Sequence, residues 1–326
     1  MSAKHCLKFT CSLRKLFNSL ILVVTVVARK IMIQATGFGT GVGKSFIVAL
    51  LCRLFKENGY RVAPFKTLNL TPVTYVKNGK EFGYAQALQA IAAGVEPDYR
   101  MNPFTLKPLG DGKFDIFLEG VCIKRNYDPT KDFIKASLKR MLGFKEEYEY
   151  IKDTARRCLE SLLEEYDIIC IEGSGSVKLF GFGPFSKLLE IANMETAKIA
   201  DAPVVFVTDN LDSILGVLSY LEKEERRRVK GVILNKFRAD ELLGMGIEEK
   251  YIRLGIRRLK SVYQKKIGID ILGIVPYFPE LVELPDLDPI KPSPRIPFDI
   301  WRKIIKSIVE KAREYIDLDK IYKIMY

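Results

Sequence analysis

The run Thr36-Gly37-Phe38-Gly39-Thr40-Gly41-Val42-Gly43-Lys44-Ser45 holds the residue types that bind a nucleoside triphosphate. Glycines let the backbone turn tightly, so that successive N–H groups point into a concavity the size of an anion. A helix that starts directly afterwards adds the positive end of its dipole. Lys44 can reach the β and γ phosphates, and the Ser45 hydroxyl can bind Mg2+. The spacing departs from GxxxxGK[ST]: Phe38 stands where the first glycine is expected, and Gly37 lies one residue further away. The motif speaks for ATP binding and does not by itself establish catalysis.

Three further side chains have the right type and place to act beside such a loop. Glu172 ends the apolar run Tyr166–Gly173 and precedes Ser174-Gly175-Ser176. A strand there sets its carboxylate at the carboxyl edge of the sheet, where open α/β sheets bind their ligands. It can hold Mg2+ directly or through water, or it can simply close a turn. Asp209 has the same position at the end of Ala202–Asp209 and is a second candidate for the metal. Lys66 ends Arg61–Lys66, where it can neutralise a phosphate or an acidic substrate, or lie on the surface as an ordinary lysine.

These residues need strands and helices in alternation to bring them together. Lys30–Thr36 reads as a buried strand, and Ser45–Gly59 has apolar residues at helical spacing with a glycine at its end. Arg61–Lys66 is predicted as a second strand, and Glu81–Gly94 as an alanine-rich helix. A charged amphipathic stretch over 130–165 leads into the strand Tyr166–Gly173. Ala202–Asp209, Val229–Phe237 and Ile269–Tyr277 are further buried strands. A proline-rich connection then reaches a basic helix over Phe298–Tyr315. The pattern predicts an α/β fold, a doubly wound, mostly parallel sheet with helices on both faces, as in P-loop NTPases. It divides into an N-terminal extension over 1–30, a nucleotide-binding domain over 31–285, and a connection and helical tail over 286–326.

Composition narrows the chemistry. The 326 residues contain one histidine, His5, which excludes histidine-clustered zinc sites and triads built on histidine. Six cysteines form no CxxC pair and read as reduced, buried thiols of a cytoplasmic protein. The net charge of +12 sits in two segments, 1–30 and 251–266, each with six basic residues and no acid. The second reads as an amphipathic helix with a solvated basic face and an apolar stripe of Ile252, Leu254, Ile256, Leu259 and Val262. It lacks the aromatic interleaving of a base-stacking surface, so nucleic acid is not an expected partner. Leu16–Ala28 is too short to span a membrane, for which roughly 20 apolar residues are needed. It resembles the h-region of a signal peptide. Residues 1–30 are instead taken as a dispensable extension or a start codon placed too early, with Met32 opening the first strand.

Several runs together resemble a known family. TGFGTGVGKS is similar to the loop of dethiobiotin synthetases. RVAPFKTLN, GYAQALQAIAAGVEPDYRMNPFTLKP, IEGSGS, NMETAKIADAPVVFVTD, VKGVILNKFRAD and LGIVPYFPEL resemble, in order, the ATP-dependent synthetase domain of the cobyric acid synthase family. The resemblance implies amidation of corrinoid carboxylates, of the cobyrinic acid a,c-diamide to cobyric acid type, through an acyl phosphate that ammonia displaces. It assigns Gly37, Thr40, Gly41, Val42, Gly43, Lys44 and Ser45 to the phosphates and Mg2+, with Glu172 as a metal ligand. It sets Asn235 and Lys236 beside the adenine, and Lys66, Asn69, Gln86, Asn102 and Lys107 nearest the substrate. It also implies a homodimer.

The chain departs from this family in three respects. The acid usual in the phosphate loop is missing, and Asn210-Leu211-Asp212-Ser213 replaces a DRGG-like turn. The glutaminase domain that supplies ammonia in the family has no counterpart, since no histidine follows His5 and no cysteine follows Cys170. Ammonia is therefore expected from a separate glutaminase, or free. A dethiobiotin synthetase-like carboxylate ligase and a non-catalytic, ATP-dependent switch or scaffold are the alternative readings.

Overall fold

A computed structural model of the chain describes residues 28–36, 41–128, 144–177, 190–289 and 291–326. The apolar run of the N-terminal extension lies outside them up to residue 27. In chain order the strands are β1 (Arg29–Ala35), β2 (Val62–Phe65), β3 (Leu68–Leu70), β4 (Thr74–Lys77), β5 (Lys80–Gly83), β6 (Phe104–Gly110), β7 (Lys113–Leu118), β8 (Val121–Tyr127), β9 (Ile168–Ser176), β10 (Val204–Thr208), β11 (Val229–Phe237) and β12 (Asp270–Pro276). The helices are α1 (Lys44–Glu57), α2 (Tyr84–Ala93), α3 (Phe144–Glu165), α4 (Thr196–Ala200), α5 (Ser213–Tyr220), α6 (Lys223–Arg228), α7 (Ala239–Gly244), α8 (Glu249–Ile267), α9 (Phe298–Ala312) and α10 (Leu318–Ile324).

Six strands form one parallel sheet in the order β12-β11-β10-β1-β9-β2. Their sequences are almost wholly apolar because both faces are covered. Alternation still assigns each side chain to a face. Ile31, Ile33 and Ala35 of β1, with Ile168 and Cys170 of β9, pack under α1, α2 and α9. Met32, Ile169 and Ile171 point the other way, against α3, α4 and α5. This is the doubly wound sheet that the sequence predicts.

The second sheet was not anticipated. Strand β3 pairs parallel to β6, and β6, β7 and β8 continue antiparallel, with β4 and β5 forming a separate hairpin. The hairpins turn on Asn78-Gly79, Asp111-Gly112 and Glu119-Gly120, all with positive φ. Two residues of that kind give a turn whose twist matches the strands it joins. As a result α2 starts at Tyr84, not at Glu81, because Glu81–Gly83 belong to β5.

Two other helical expectations change. On α8 the buried side is Ile252, with Ile256, Leu259, Tyr263 and Ile267 packed toward the core. Leu254 and Val262, expected in the apolar stripe, face solvent. The helix expected over Phe298–Tyr315 is α-helical to Ala312. Helix α9 lies on α1 and α2, and Trp301 is fully buried with its indole N–H donating to the Leu88 carbonyl at 2.8 Å. Among the described residues no helix is long and apolar enough to cross a membrane.

Trp301→Ala should therefore cost about 3–5 kcal/mol, the range for removing a large buried aromatic. Urea unfolding followed by tryptophan-independent circular dichroism measures it, and a loss under about 1 kcal/mol would show that α9 is not part of this core.

Candidate functional site

The site forms where β1, β2 and β9 end, above the first turn of α1. Gly43 precedes α1 with φ of 88°, a left-handed conformation that suits glycine. A Cβ there would come within 2.3 Å of the Asn235 amide nitrogen. No acid stands in the first turn of α1, so its free N–H groups face no competing carboxylate of their own helix. Of the residues assigned to the phosphates, Gly37 and Thr40 lie outside the described residues. Gly41, Val42, Gly43, Lys44 and Ser45 run into α1 as expected. At the end of β11, Asn235 donates to the Val42 carbonyl at 2.8 Å and the Lys236 ammonium to that of Gly41. Both residues thus tie down the described part of the loop.

Below it lies a buried cluster of charges. The Glu172 carboxylate is fully buried at the point where β9 leaves the core. Its Oε1 accepts from Ser45 Oγ at 2.9 Å and from Lys66 Nζ at 2.8 Å. Its Oε2 accepts from the amide of Gln89, which also donates to the Ser45 carbonyl. Lys66 Nζ makes a second ion pair, with Asp288 Oδ2, at 2.6 Å. Burial alone would lower the Lys66 pKa, but the Asp288 and Glu172 carboxylates outweigh it and hold the ammonium charged. Lys44 has the opposite balance. Burial and the positive charge of Lys66 pull it down to about 8, against the opposing pull of Glu172 and Asp288. An incoming phosphate would raise it again.

The segment that follows Glu172 is held in place by polar side chains. Asn193, at a kink with φ of −111° and ψ of −120°, accepts from the Ser174 N–H at 2.9 Å and donates to the Ser176 carbonyl at 2.8 Å. Ser174 Oγ donates to the Leu68 carbonyl, and Gln34 Nε2 donates to that of Gly175 at 3.2 Å. The parallel sheet and the second sheet are thereby linked directly beneath the site.

The residues expected nearest the substrate divide into two groups. Asn69 Nδ2 donates to Gln86 Oε1 at 3.1 Å and to Asp288 Oδ1 at 3.0 Å, which joins both residues to the Lys66 cluster. Asn102 is a strut. Its Nδ2 donates to the carbonyls of Lys66 and Phe104, and its Oδ1 accepts from the Gly83 N–H and Thr105 Oγ1. That uses every donor and acceptor an amide side chain has. A Cβ on Gly83 would stand 2.4 Å from Gln86 Oε1 and 2.6 Å from Asn69 Nδ2, so glycine is needed for this junction to close. Lys107 is apart from the cluster, paired with Glu81 at 2.6 Å and partly exposed. Asp209 is exposed past the end of β10, and the hydrogen bonds that assemble the cluster do not include it.

Two members of the cluster escaped the sequence reading. Gln89 stands three residues after Gln86 on a helix whose every residue is buried, and that spacing on an apolar helix was a usable signal. Asp288 is 222 positions from Lys66 in a proline-rich connection, and nothing local marks it.

Ser45 Oγ and Glu172 Oε1 are hard oxygen donors of the kind Mg2+ takes, with the rest of its coordination left to water and phosphate. Gln89 Oε1, beside Glu172, is buried without a partner and could accept from a metal-bound water. Among the described residues no group of three or more His, Cys, Asp or Glu gathers into a metal site of its own. The donor set thus fits Mg2+ bound together with a nucleotide.

Residues 33–288 match the family described as the CobQ/CobB/MinD/ParA nucleotide binding domain. Cobyric acid synthase of Clostridium perfringens is 37% identical over 265 residues, which cover 79% of this chain and 48% of that protein. The Caldanaerobacter subterraneus cobyric acid synthase is 38% identical over 259 residues, covering 77% and 44% respectively. The chain thus spans about half the length of the curated relatives it matches. Among solved structures, the MinD cell division protein of Aquifex aeolicus superposes with a TM-score of 0.41 at 15% identity, covering 88% of this chain and 96% of that one, and no argument rests on it.

Because Glu172 and Asp288 share one buried cation, Lys66→Met leaves two carboxylates facing each other. Removing one partner of a buried ion pair costs about 3–5 kcal/mol. Chemical denaturation at neutral pH should show a loss of that order, and a loss no larger than that of a surface lysine would contradict the arrangement.

Proposed function

The chain belongs to the CobQ/CobB/MinD/ParA nucleotide-binding family, and from that membership we propose that it uses ATP to convert carboxylates of a corrinoid into amides. Relatives are named cobyric acid synthase, and in this reading the substrate is a polycarboxylic corrinoid such as cobyrinic acid a,c-diamide. The observation that carries the reading is the buried cluster of Lys44, Ser45, Lys66 and Glu172 at the end of the parallel sheet, where phosphate, metal and carboxylate can meet.

In this reading the loop N–H groups and Lys44 hold the β and γ phosphates. Ser45 and Glu172 would hold Mg2+, which offsets phosphate charge when bound. Lys66 turns its ammonium between the γ phosphate and the carboxylate, screening two anions that would otherwise repel. A carboxylate oxygen attacks the γ phosphorus and ADP departs. Ammonia then adds to the acyl carbon of the acyl phosphate, the C–O bond to phosphate breaks, and the proton lost by nitrogen leaves with the phosphate as HPO4(2−). Most of the protein's contribution is placement and charge compensation, as for phosphoryl transfer in general. Asn235 and Lys236, which bond the loop carbonyls of Val42 and Gly41, are the residues assigned to the adenine in this reading.

Ammonia comes from a separate glutaminase or from solution. Of the described cysteines, Cys52, Cys158 and Cys170 are buried. Burial raises the Cys158 thiol to about 12, away from a reactive thiolate. The single histidine, His5, lies outside the described residues. The reaction would take place in the cytoplasm, where ATP is supplied, and the enzyme would act as a homodimer.

Incubation of the purified chain with ATP, Mg2+, ammonium and cobyrinic acid a,c-diamide tests the proposal. Mass spectrometry should show carboxylates converted to amides, with one ADP per amide, and Lys44→Ala should lower the rate by at least about 100-fold. ATP binding with no amide formed would instead favour a nucleotide-dependent switch.

A further inference from the structure

Asp288 occupies a position that no function of a strand or helix requires. It belongs to the irregular segment between Tyr277 and α9, with Val282, Glu283 and Asp286 exposed around it. Yet its carboxylate enters the site, with only 15% of the side chain exposed. Oδ2 accepts from Lys66 and Oδ1 from Asn69, the two groups best placed to hold an anion.

The side chains around it offer more than Asp288 uses. Gln86 is fully buried, its carbonyl oxygen is fixed by Asn69, and its Nε2 has no partner. A buried donor left unpaired costs free energy that a fitting ligand recovers. The donors are also built on a firm frame. Lys66 follows β2, Asn69 lies on β3 and Gln86 on α2, and the saturated Asn102 locks these elements together. The segment that brings Asp288 has fewer polar ties, Thr71 to the Pro289 carbonyl at 3.3 Å and the Asp288 N–H to Asp286 at 3.2 Å, while Leu281, Leu284 and Leu287 pack on the core.

Charge points the same way. Lys44 and Lys66 are already balanced by Glu172 and Asp288. A triphosphate with its metal, followed by a substrate carboxylate, brings surplus negative charge into a buried space, where unpaired charge is costly. One carboxylate must make way. Glu172 is fixed in β9, whereas Asp288 stands in a segment outside every helix and strand.

We propose that Lys66, Asn69 and Gln86 form an oxyanion subsite, and that Asp288 is its internal occupant, a carboxylate that the incoming ligand expels. The inference rests on the reading that this site takes MgATP and a polycarboxylate, but not on turnover. The entering oxyanion is either the γ phosphate or the substrate carboxylate, and binding separates the two.

Calorimetry on the full chain and on Asp288→Asn, with Mg2+ and a non-hydrolysable ATP analogue in one arm and cobyrinic acid a,c-diamide in the other, is the test. Removing the competing charge should tighten binding roughly tenfold, about 1.4 kcal/mol, in the arm whose ligand supplies the oxyanion. Equal or weaker binding in both arms, or no binding of either probe to either protein, overturns the proposal. Should the variant fail to fold, hydrogen exchange of residues 282–289 in the unaltered chain decides it. Exchange should quicken in the presence of at least one of the two probes, and unchanged or slower exchange with both overturns the proposal. Amide formation does not enter either readout, so a chain that binds both probes without making amides would refute the proposed function and leave this inference standing.

Discussion

One ammonium group between two carboxylates organises this protein. Lys66 lies 2.8 Å from Glu172 and 2.6 Å from Asp288 with almost no solvent access, so its charge is stable only while at least one of them faces it. An isolated charge at that depth would be driven to neutrality or out of the core. Much of the surrounding architecture serves to keep these groups in register. Strand β2 delivers Lys66, β9 delivers Glu172 next to it, and α1 adds Ser45 to the same carboxylate oxygen. The neighbouring Lys44 is pulled down to about 8 by its burial and by the repulsion of Lys66.

The second sheet gives this charge cluster its shape. Strand β3 carries Asn69 to the edge of the site, and β5 ends at Gly83, where three amide side chains converge. Asn102, which begins the run into β6, spends its whole hydrogen-bonding capacity on that junction. Asn193 and Ser174 perform the same service on the other side, below the backbone that follows Glu172. Polar side chains in these positions are expensive to bury singly, and they are acceptable here because they satisfy one another. Unpartnered atoms remain on Gln34, Gln86 and Gln89, and those on Gln86 and Gln89 lie where a ligand or its hydration would complete them.

How much of this was legible in the sequence follows from the range of the interactions. The phosphate loop and the strands with long apolar runs could be read because their signals are local: GKS before an amphipathic helix, or an acid closing a buried strand. Glu172 and Lys66 were found this way, from their positions at strand ends. The second sheet was missed although Asn78-Gly79 and Asp111-Gly112 mark hairpins, since the short polar strands they join lack a long apolar pattern. Leu254 and Val262 were misplaced because apolar residues on α8 occur on more than one side, and only the packing selects the buried one. Lys107 and Asp209 were of the right chemical type but are apart from the cluster. Asp288 was beyond reach, because its role depends on a tertiary contact across most of the chain.

The account's central claim is that the cluster brings a carboxylate to the γ phosphate of ATP, so that phosphate becomes bonded to a carboxylate oxygen. Isotope transfer reports this directly. Cobyrinic acid a,c-diamide with 18O in its carboxylates would be incubated with the protein, ATP, Mg2+ and ammonium, and the released phosphate analysed by mass spectrometry. The account predicts one 18O atom in phosphate for each amide formed. Amide accompanied by unlabelled phosphate would contradict it.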